Sequence, residues 1–202
     1  MSNIVTGNHH PKYGGIHTNP CIGVLTNRFV RHLERMVDTV SPIPATILDV
    51  GCAEGTVARR LAQLTGASVT GFDLPDTAIE SAWANGPGLL VTGDAHELPF
   101  EDNHFDLVLG LEVLEHVADP HQVLAEMVRV TKGPLILSVP NEPFFRMGNL
   151  LTGRHVRSLG NTPGHWNHWT PIGFQALVSK HAALDEVRHP FPWTLVRASA
   201  DL

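Results

Sequence analysis

"ATILDVGCAEGTVARRLAQLTGASVTGFD", residues 45–73, decides the fold. It opens with a short apolar run (45–50), passes through a turn holding Asp49, Gly51, Glu54 and Gly55, and continues as a segment of helical periodicity. Val57, Leu61 and Leu64 fall on one side of that segment, and Gly66 stops it. A second apolar run, 67–73, follows at once. Strand, tight turn, helix and strand in 29 residues is the signature of a parallel pair joined by a crossover.

The alternation continues outward. Residues 76–86 predict a helix, with Thr77 and Glu80 fitting a capping box. Runs 88–94 and 105–111 predict a third and a fourth strand. Asp119–Pro120 predicts a helix start, with Val123, Leu124, Met127 and Val128 on its buried face. Residues 133–140 predict a fifth strand. Thr170–Pro171 starts a helix to about His181, and 184–189 and 193–198 are closing strands. On the amino-terminal side, apolar spacing from Val24 to Val40 predicts a helix over 23–40, ended by Ser41–Pro42 and Pro44. The expectation is an α/β fold: a doubly wound, mostly parallel, Rossmann-like seven-stranded sheet with helices on both faces. One domain spans 1–202. It comprises a flexible arm or lid (1–20), the first helix, a core (45–140), an insertion (141–170), and a closing helix and strands (171–202).

Bulk properties narrow the function. The 202 residues carry a net charge of −6, which argues against nucleic acid as partner. Apolar runs are strand-length, so no membrane span is expected, and the polar first twenty residues show no signal peptide. Two cysteines, Cys21 and Cys52, make no disulfide framework and suggest a reducing, cytoplasmic setting.

In doubly wound sheets ligands bind at the carboxyl ends of the strands. Four consecutive strands here end in acid-containing turns: Asp49 to Gly55, Asp73, Asp94-Ala95-His96, and Gly110 to His116. The first lacks the G-x-G-x-x-G pattern, and Asp49 and Glu54 would repel a pyrophosphate. The expected ligand is cationic or hydroxyl-rich, with little phosphate. Asp73 suits a ribose diol. Asp94 suits an exocyclic amine, with Ala95 and His96 supplying backbone and a ring edge. Leu74 and Leu111 suit the two faces of a base.

These stretches resemble the class I S-adenosylmethionine-dependent methyltransferases, in particular their small-molecule, type 11-like members. "ILDVGCAEG" resembles the family's first motif, "GFDLPDTAIESA" the second, and "GDAHELPFEDNHFDLVL" the third and fourth. "EVLEHVADPHQVLAEMVRVTKGPLILSVPN" resembles the rest of the core, and "PFPWTLVRA" the end of small members. The resemblance implies S-adenosyl-L-methionine as cofactor. Asp49, Gly51, Cys52, Ala53 and Gly55 would shape the methionine pocket. Asp73 would take the ribose, Asp94 and Ala95 the adenine, and Gly110, Leu111 and Glu112 the sulfonium edge. The turn "GCAEG" is poorer in glycine than the family's, and small Cys52 and Ala53 are expected to keep its path. Glu115 is expected to face solvent or an arginine of the next loop.

Methyl transfer needs an acceptor held in line and often a base. His116, His165 and His168 are the candidates, with Trp166 and Trp169 as walls. The alternative for "GHWNHW" is a hydrogen-bonded loop anchor. A two-histidine metal site lacks a clear third ligand. In the insertion, Phe144, Phe145, Met147, Leu150 and Leu151 suit a short amphipathic helix. Arg146, Arg154, His155 and Arg157 add positive charge suited to an anionic acceptor. Tyr13 and His17 lie on the arm. The expected activity is methyl transfer to a small-molecule acceptor, at oxygen, in a biosynthetic pathway. The alternatives are an NAD-type oxidoreductase and a non-catalytic partner subunit. Exposed tryptophans in the insertion would permit a dimer.

Overall fold

A computed structural model describes residues 20–142, 144 and 166–200. The arm with Tyr13 and His17, and Phe145, Arg146, Met147, Leu150, Leu151, Arg154, His155, Arg157 and His165 of the insertion, lie outside the described residues. The elements run α1 (Pro20–Val37), β1 (Thr46–Val50), α2 (Thr56–Thr65), β2 (Ser68–Asp73), α3 (Thr77–Trp83), β3 (Gly88–Thr92) and β4 (Leu107–Leu111). A 3-10 turn (Leu114–His116) precedes α4 (Pro120–Val130), β5 (Pro134–Pro140), α5 (Pro171–Val178), β6 (Ala183–Arg188) and β7 (Trp193–Ser199).

The strands form one seven-stranded sheet in the order β3-β2-β1-β4-β5-β7-β6. All pairs from β3 to β5 are parallel, while β7 is antiparallel to both β5 and β6. The order reverses between β1 and β4, which places a crevice above their carboxyl ends.

Period-two alternation builds two cores. Ile47, Leu107, Leu109, Ile136 and Leu195 point to one face, where Phe29 and Leu33 of α1, Val57 and Leu61 of α2 and Ile79 of α3 cover them. Leu48, Val50, Val108, Leu135 and Leu137 point to the other, beneath Val123, Leu124 and Met127 of α4 and Phe174 and Val178 of α5. Strands apolar on both faces can only be central strands of a covered sheet.

Several expected boundaries shift. α1 runs 20–37 rather than 23–40, because Pro20 suits a first helical position and the chain turns at Thr39, whose N–H and hydroxyl both bond Met36 O. Leu64 is exposed and Ala58 takes its place in the core, since α2 presents 57, 58 and 61 to the sheet. Thr77 is not the cap of α3. Asp76 is, its Oδ1 accepting from Ala78 N and Ile79 N at 2.7 and 3.2 Å. β4 begins at Leu107, because Phe105 only bridges to Thr131. α5 ends at Val178, short of His181.

Candidate functional site

The turn after β1 folds back over β2. Gly51 N and Cys52 N both donate to Phe72 O, at 2.7 and 3.3 Å, and Gly55 N closes the turn onto Cys52 O at 3.0 Å. Gly51, Ala53 and Gly55 take φ of 69°, 46° and 71°. For Ala53 the left-handed region costs about 1–2 kcal/mol. Two bonds hold it there: its N–H donates to Asp73 Oδ2 at 2.8 Å, and its carbonyl accepts from Trp83 Nε1 at 2.8 Å. The path is thus kept without the missing glycine.

Trp83 was not legible as a site residue in the sequence, where it reads as one apolar position of an amphipathic helix. Its buried ring lies under the turn. A Cβ on Gly55 would meet Trp83 Cε2 at 2.8 Å, and one on Gly71 would collide with the same indole. Glycine at 55 is therefore imposed by φ and by Trp83, not only by approach of a ligand. Only the fold brings Gly55 and Gly71 against this indole, so no local sequence signal announced it.

Asp73 at the tip of β2 does not cap the next helix. Its Oδ1 accepts from Leu74 N at 2.8 Å while Oδ2 holds Ala53. Each oxygen keeps a second lone pair, which a diol can use. Leu74 is exposed and Leu111 buried, so an apolar face is open on the Leu74 side.

At the β3 tip, Asp94 Oδ1 accepts from His96 N at 3.0 Å and from the His96 ring at Nδ1, 2.6 Å away. The His96 backbone N–H, then its ring, hold the Asp94 carboxyl below the usual carboxylate range. His96 Nε2 accepts from Asp119 N at 3.2 Å, which places the ring proton on Nδ1. Both ring nitrogens are engaged within the protein, so His96 braces Asp94 against the start of α4. Ala95 packs against the core.

At the β4 tip, Gly110 is buried. A Cβ there would meet Met127 Sδ at 2.9 Å and Leu137 Cδ2 at 3.0 Å, so glycine lets α4 seat on the sheet. Glu112 follows with φ 56°, its N–H bonded to Ser138 O at 3.1 Å and its Oε2 accepting from Trp193 Nε1 at 2.8 Å. Glu115 does not face solvent. It is buried at 1% exposure inside the 3-10 turn, a turn the sequence reading lacked, and its carbonyl accepts from Trp166 N and Asn167 N. Asn167 Nδ2 also donates to Leu114 O and Val117 O, at 3.1 and 2.8 Å. The described part of "GHWNHW" is therefore anchored to the turn after β4 by Asn167, a residue that sequence reasoning passed over.

His116 and His168 are both exposed, Trp166 is 67% exposed, and Trp169 is half-buried against Phe174. Asn141 N bonds Pro192 O at 2.8 Å and Glu142 N bonds Trp169 O at 3.0 Å, so the segments around 169 and 192 converge on the end of β5. Among the described residues no group of three or more His, Cys, Asp or Glu is arranged to hold a metal. No described helix is long and apolar enough to cross a membrane.

A mostly parallel seven-stranded α/β sheet, with a glycine-containing turn after its first strand and acids at or just past the ends of the next three, defines a Rossmann-like fold. Comparison with known proteins makes this specific. Residues 48–134 match the model of a methyltransferase domain. The ubiquinone biosynthesis O-methyltransferase of Cereibacter sphaeroides (strain ATCC 17025) is 30% identical over 96% of this chain and 86% of its own length. The Maricaulis maris protein described as ubiquinone biosynthesis O-methyltransferase is 44% identical over 43% of this chain and 36% of its own length. Magnesium protoporphyrin IX methyltransferase from Synechocystis, solved with bound SAH, superposes with a TM-score of 0.68 at 19% identity over 94% of this chain and 91% of that one. The chain belongs to the class I S-adenosylmethionine-dependent methyltransferases. Of other curated relatives, the Maricaulis maris protein among them, it spans only about a third or less of the length.

Proposed function

We propose that this protein transfers the methyl group of S-adenosyl-L-methionine to an oxygen of a small-molecule acceptor in a biosynthetic pathway. The observation that carries the reading is the similarity along nearly the whole chain to a ubiquinone biosynthesis O-methyltransferase. The residues fit the cofactor. A sulfonium and an ammonium favour the carboxylates of Asp73, Asp94 and Glu112 at the strand tips and of Asp49, buried one residue before the end of β1, where a pyrophosphate would be repelled. The tight turn Gly51–Gly55 lines the methionine part with backbone. Asp73 accepts from the ribose hydroxyls with the lone pairs left by Ala53 and Leu74. Asp94, held ionised by His96, accepts from the adenine amine, with Ala95 beside it and exposed Leu74 against one face of the base; Leu111, buried in the core, leaves the second face to other groups.

The cofactor supplies the electrophilic methyl group; this chain's task is to hold the acceptor in line, exclude water and remove a proton. An acceptor oxygen has to sit about 3–3.5 Å from the methyl carbon. His116, just past β4, is the first candidate base, and His168, on the strand-end side of the Asn167 anchor, is the second; His165 shares that segment. The Trp166 and Trp169 rings give the acceptor apolar walls. A non-catalytic subunit would share the fold but not turnover.

The test uses cofactor labelled in its methyl group and a panel of phenols, catechols and aliphatic alcohols. Label transferred to an acceptor oxygen supports the proposal. Label transferred only to nitrogen or carbon acceptors, or to none while cofactor binds, overturns it.

A further inference from the structure

One bond ties the cofactor mouth to the last strand of the chain. Glu112 stands just beyond β4, and Trp193 opens β7, 81 positions later. β5 lies between those strands, and Trp193 pairs with Pro140 at its carboxyl end. The indole Nε1–H donates to Glu112 Oε2 at 2.8 Å. Behind the indole sits Phe29 of α1, ring centroids 5.3 Å apart at 58°, and Phe29 is itself fully buried in the core.

A glutamate side chain turns about three torsions, so a carboxylate at a strand tip has many orientations to lose on binding a cation. An indole N–H only donates, and it bonds the ionised carboxylate best. The left-handed backbone of Glu112 and its N–H bond to Ser138 O fix where the side chain starts. The Trp193 bond fixes where it ends. Phe29 fixes the indole.

We infer that Trp193 is a positioning residue for the cofactor: its indole N–H, braced by Phe29, holds the Glu112 carboxylate in one orientation at the mouth of the methionine pocket. The inference rests on the reading that Glu112 borders the sulfonium. It also makes cofactor affinity depend on how α1 is seated, because α1 supplies the brace.

The test is calorimetric binding of S-adenosylmethionine and S-adenosylhomocysteine to wild type, Trp193→Phe, Glu112→Gln and the double variant. Phenylalanine keeps the ring contact with Phe29 and deletes the donor. Each single variant is expected to bind S-adenosylmethionine about tenfold more weakly, and the double variant no more weakly than Glu112→Gln alone. Trp193→His, which keeps a ring N–H, should recover part of the loss. The indole N–H resonance of Trp193 should shift between wild type and Glu112→Gln, and in wild type on ligand binding. Wild-type affinity in Glu112→Gln overturns the placement of Glu112 and the inference with it. Weak binding in Glu112→Gln with wild-type affinity in Trp193→Phe, additive losses, or an indole resonance indifferent to Glu112→Gln overturns the inference alone.

Discussion

Replacing Trp83 by phenylalanine should damage the turn after β1, the proposed methionine-binding turn, without touching any of its residues. Trp83 is 4% exposed, and its Nε1–H is given to Ala53 O at 2.8 Å. Deleting the donor leaves a buried carbonyl on a residue already held in the left-handed region, a loss of about 1–3 kcal/mol. The smaller ring also vacates space against Gly55 and Gly71, adding about 1 kcal/mol for the cavity. The sum is about 2–4 kcal/mol of stability, near 4–16 °C in midpoint for a chain of this length at roughly 2–4 °C per kcal/mol. Ala53 should then leave φ 46°, its N–H should loosen from Asp73, and cofactor affinity should fall with stability. Urea unfolding gives the first quantity and calorimetric titration of S-adenosylhomocysteine the second. A Trp83→Phe protein within about 0.5 kcal/mol of wild type and binding normally would refute the assignment of Trp83 as the support of the turn.

Other outcomes follow from the same bonds. Asp73→Ala should weaken cofactor binding by about 1.5–3 kcal/mol, read by calorimetry, and unchanged affinity would limit Asp73 to holding Ala53 and Leu74. Arg129 donates to Leu98 O, Phe100 O and Asp102 while bonding both oxygens of Glu126. Arg129→Ala should cost about 2 kcal/mol of stability and raise amide exchange across 98–102; unaltered exchange there would count against it. Burial, then His121 and Lys180, hold His181 below the ordinary imidazole range, and its Nε2 lies 2.9 Å from His121 Nδ1. The fold favours the neutral ring, so the unfolded chain binds more protons as pH falls through the ordinary histidine range. Stability should fall there, level off once the folded ring protonates, and be unaffected above the range. His181→Gln should flatten that slope between about pH 7 and 5 in thermal unfolding, and an unchanged slope would sink the assignment.

The sheet was legible because its central strands are apolar on both faces, a pattern with few other uses. Ile47 and Leu48 point to opposite cores, and the runs around 107–111 and 134–140 repeat this. The acidic tips were legible as a set for the same reason: carboxylates directly after buried runs must meet a cleft or a partner. What stayed hidden depends on contacts between distant residues. Trp83 and Ala53 are 30 positions apart, and only the fold shows that one supports the other. Asn167 reads as loop filler until its amide is seen to tie down the turn after β4. The solvent half of the expectation for Glu115 failed because Glu is rarely buried, and nothing local announced the 3-10 turn that encloses it. Thr77 misled because Asp76 offers a cap one position earlier, with equal local chemistry.

The central claim is that neighbouring strand tips form one pocket for a cationic, phosphate-free adenosine compound. Calorimetric titration of the full chain with S-adenosylmethionine, S-adenosylhomocysteine and NAD addresses it directly. The account predicts one site per chain for each of the first two and no heat of binding for NAD. Saturable binding of NAD without S-adenosylmethionine, or binding of none of the three by folded protein, would contradict it.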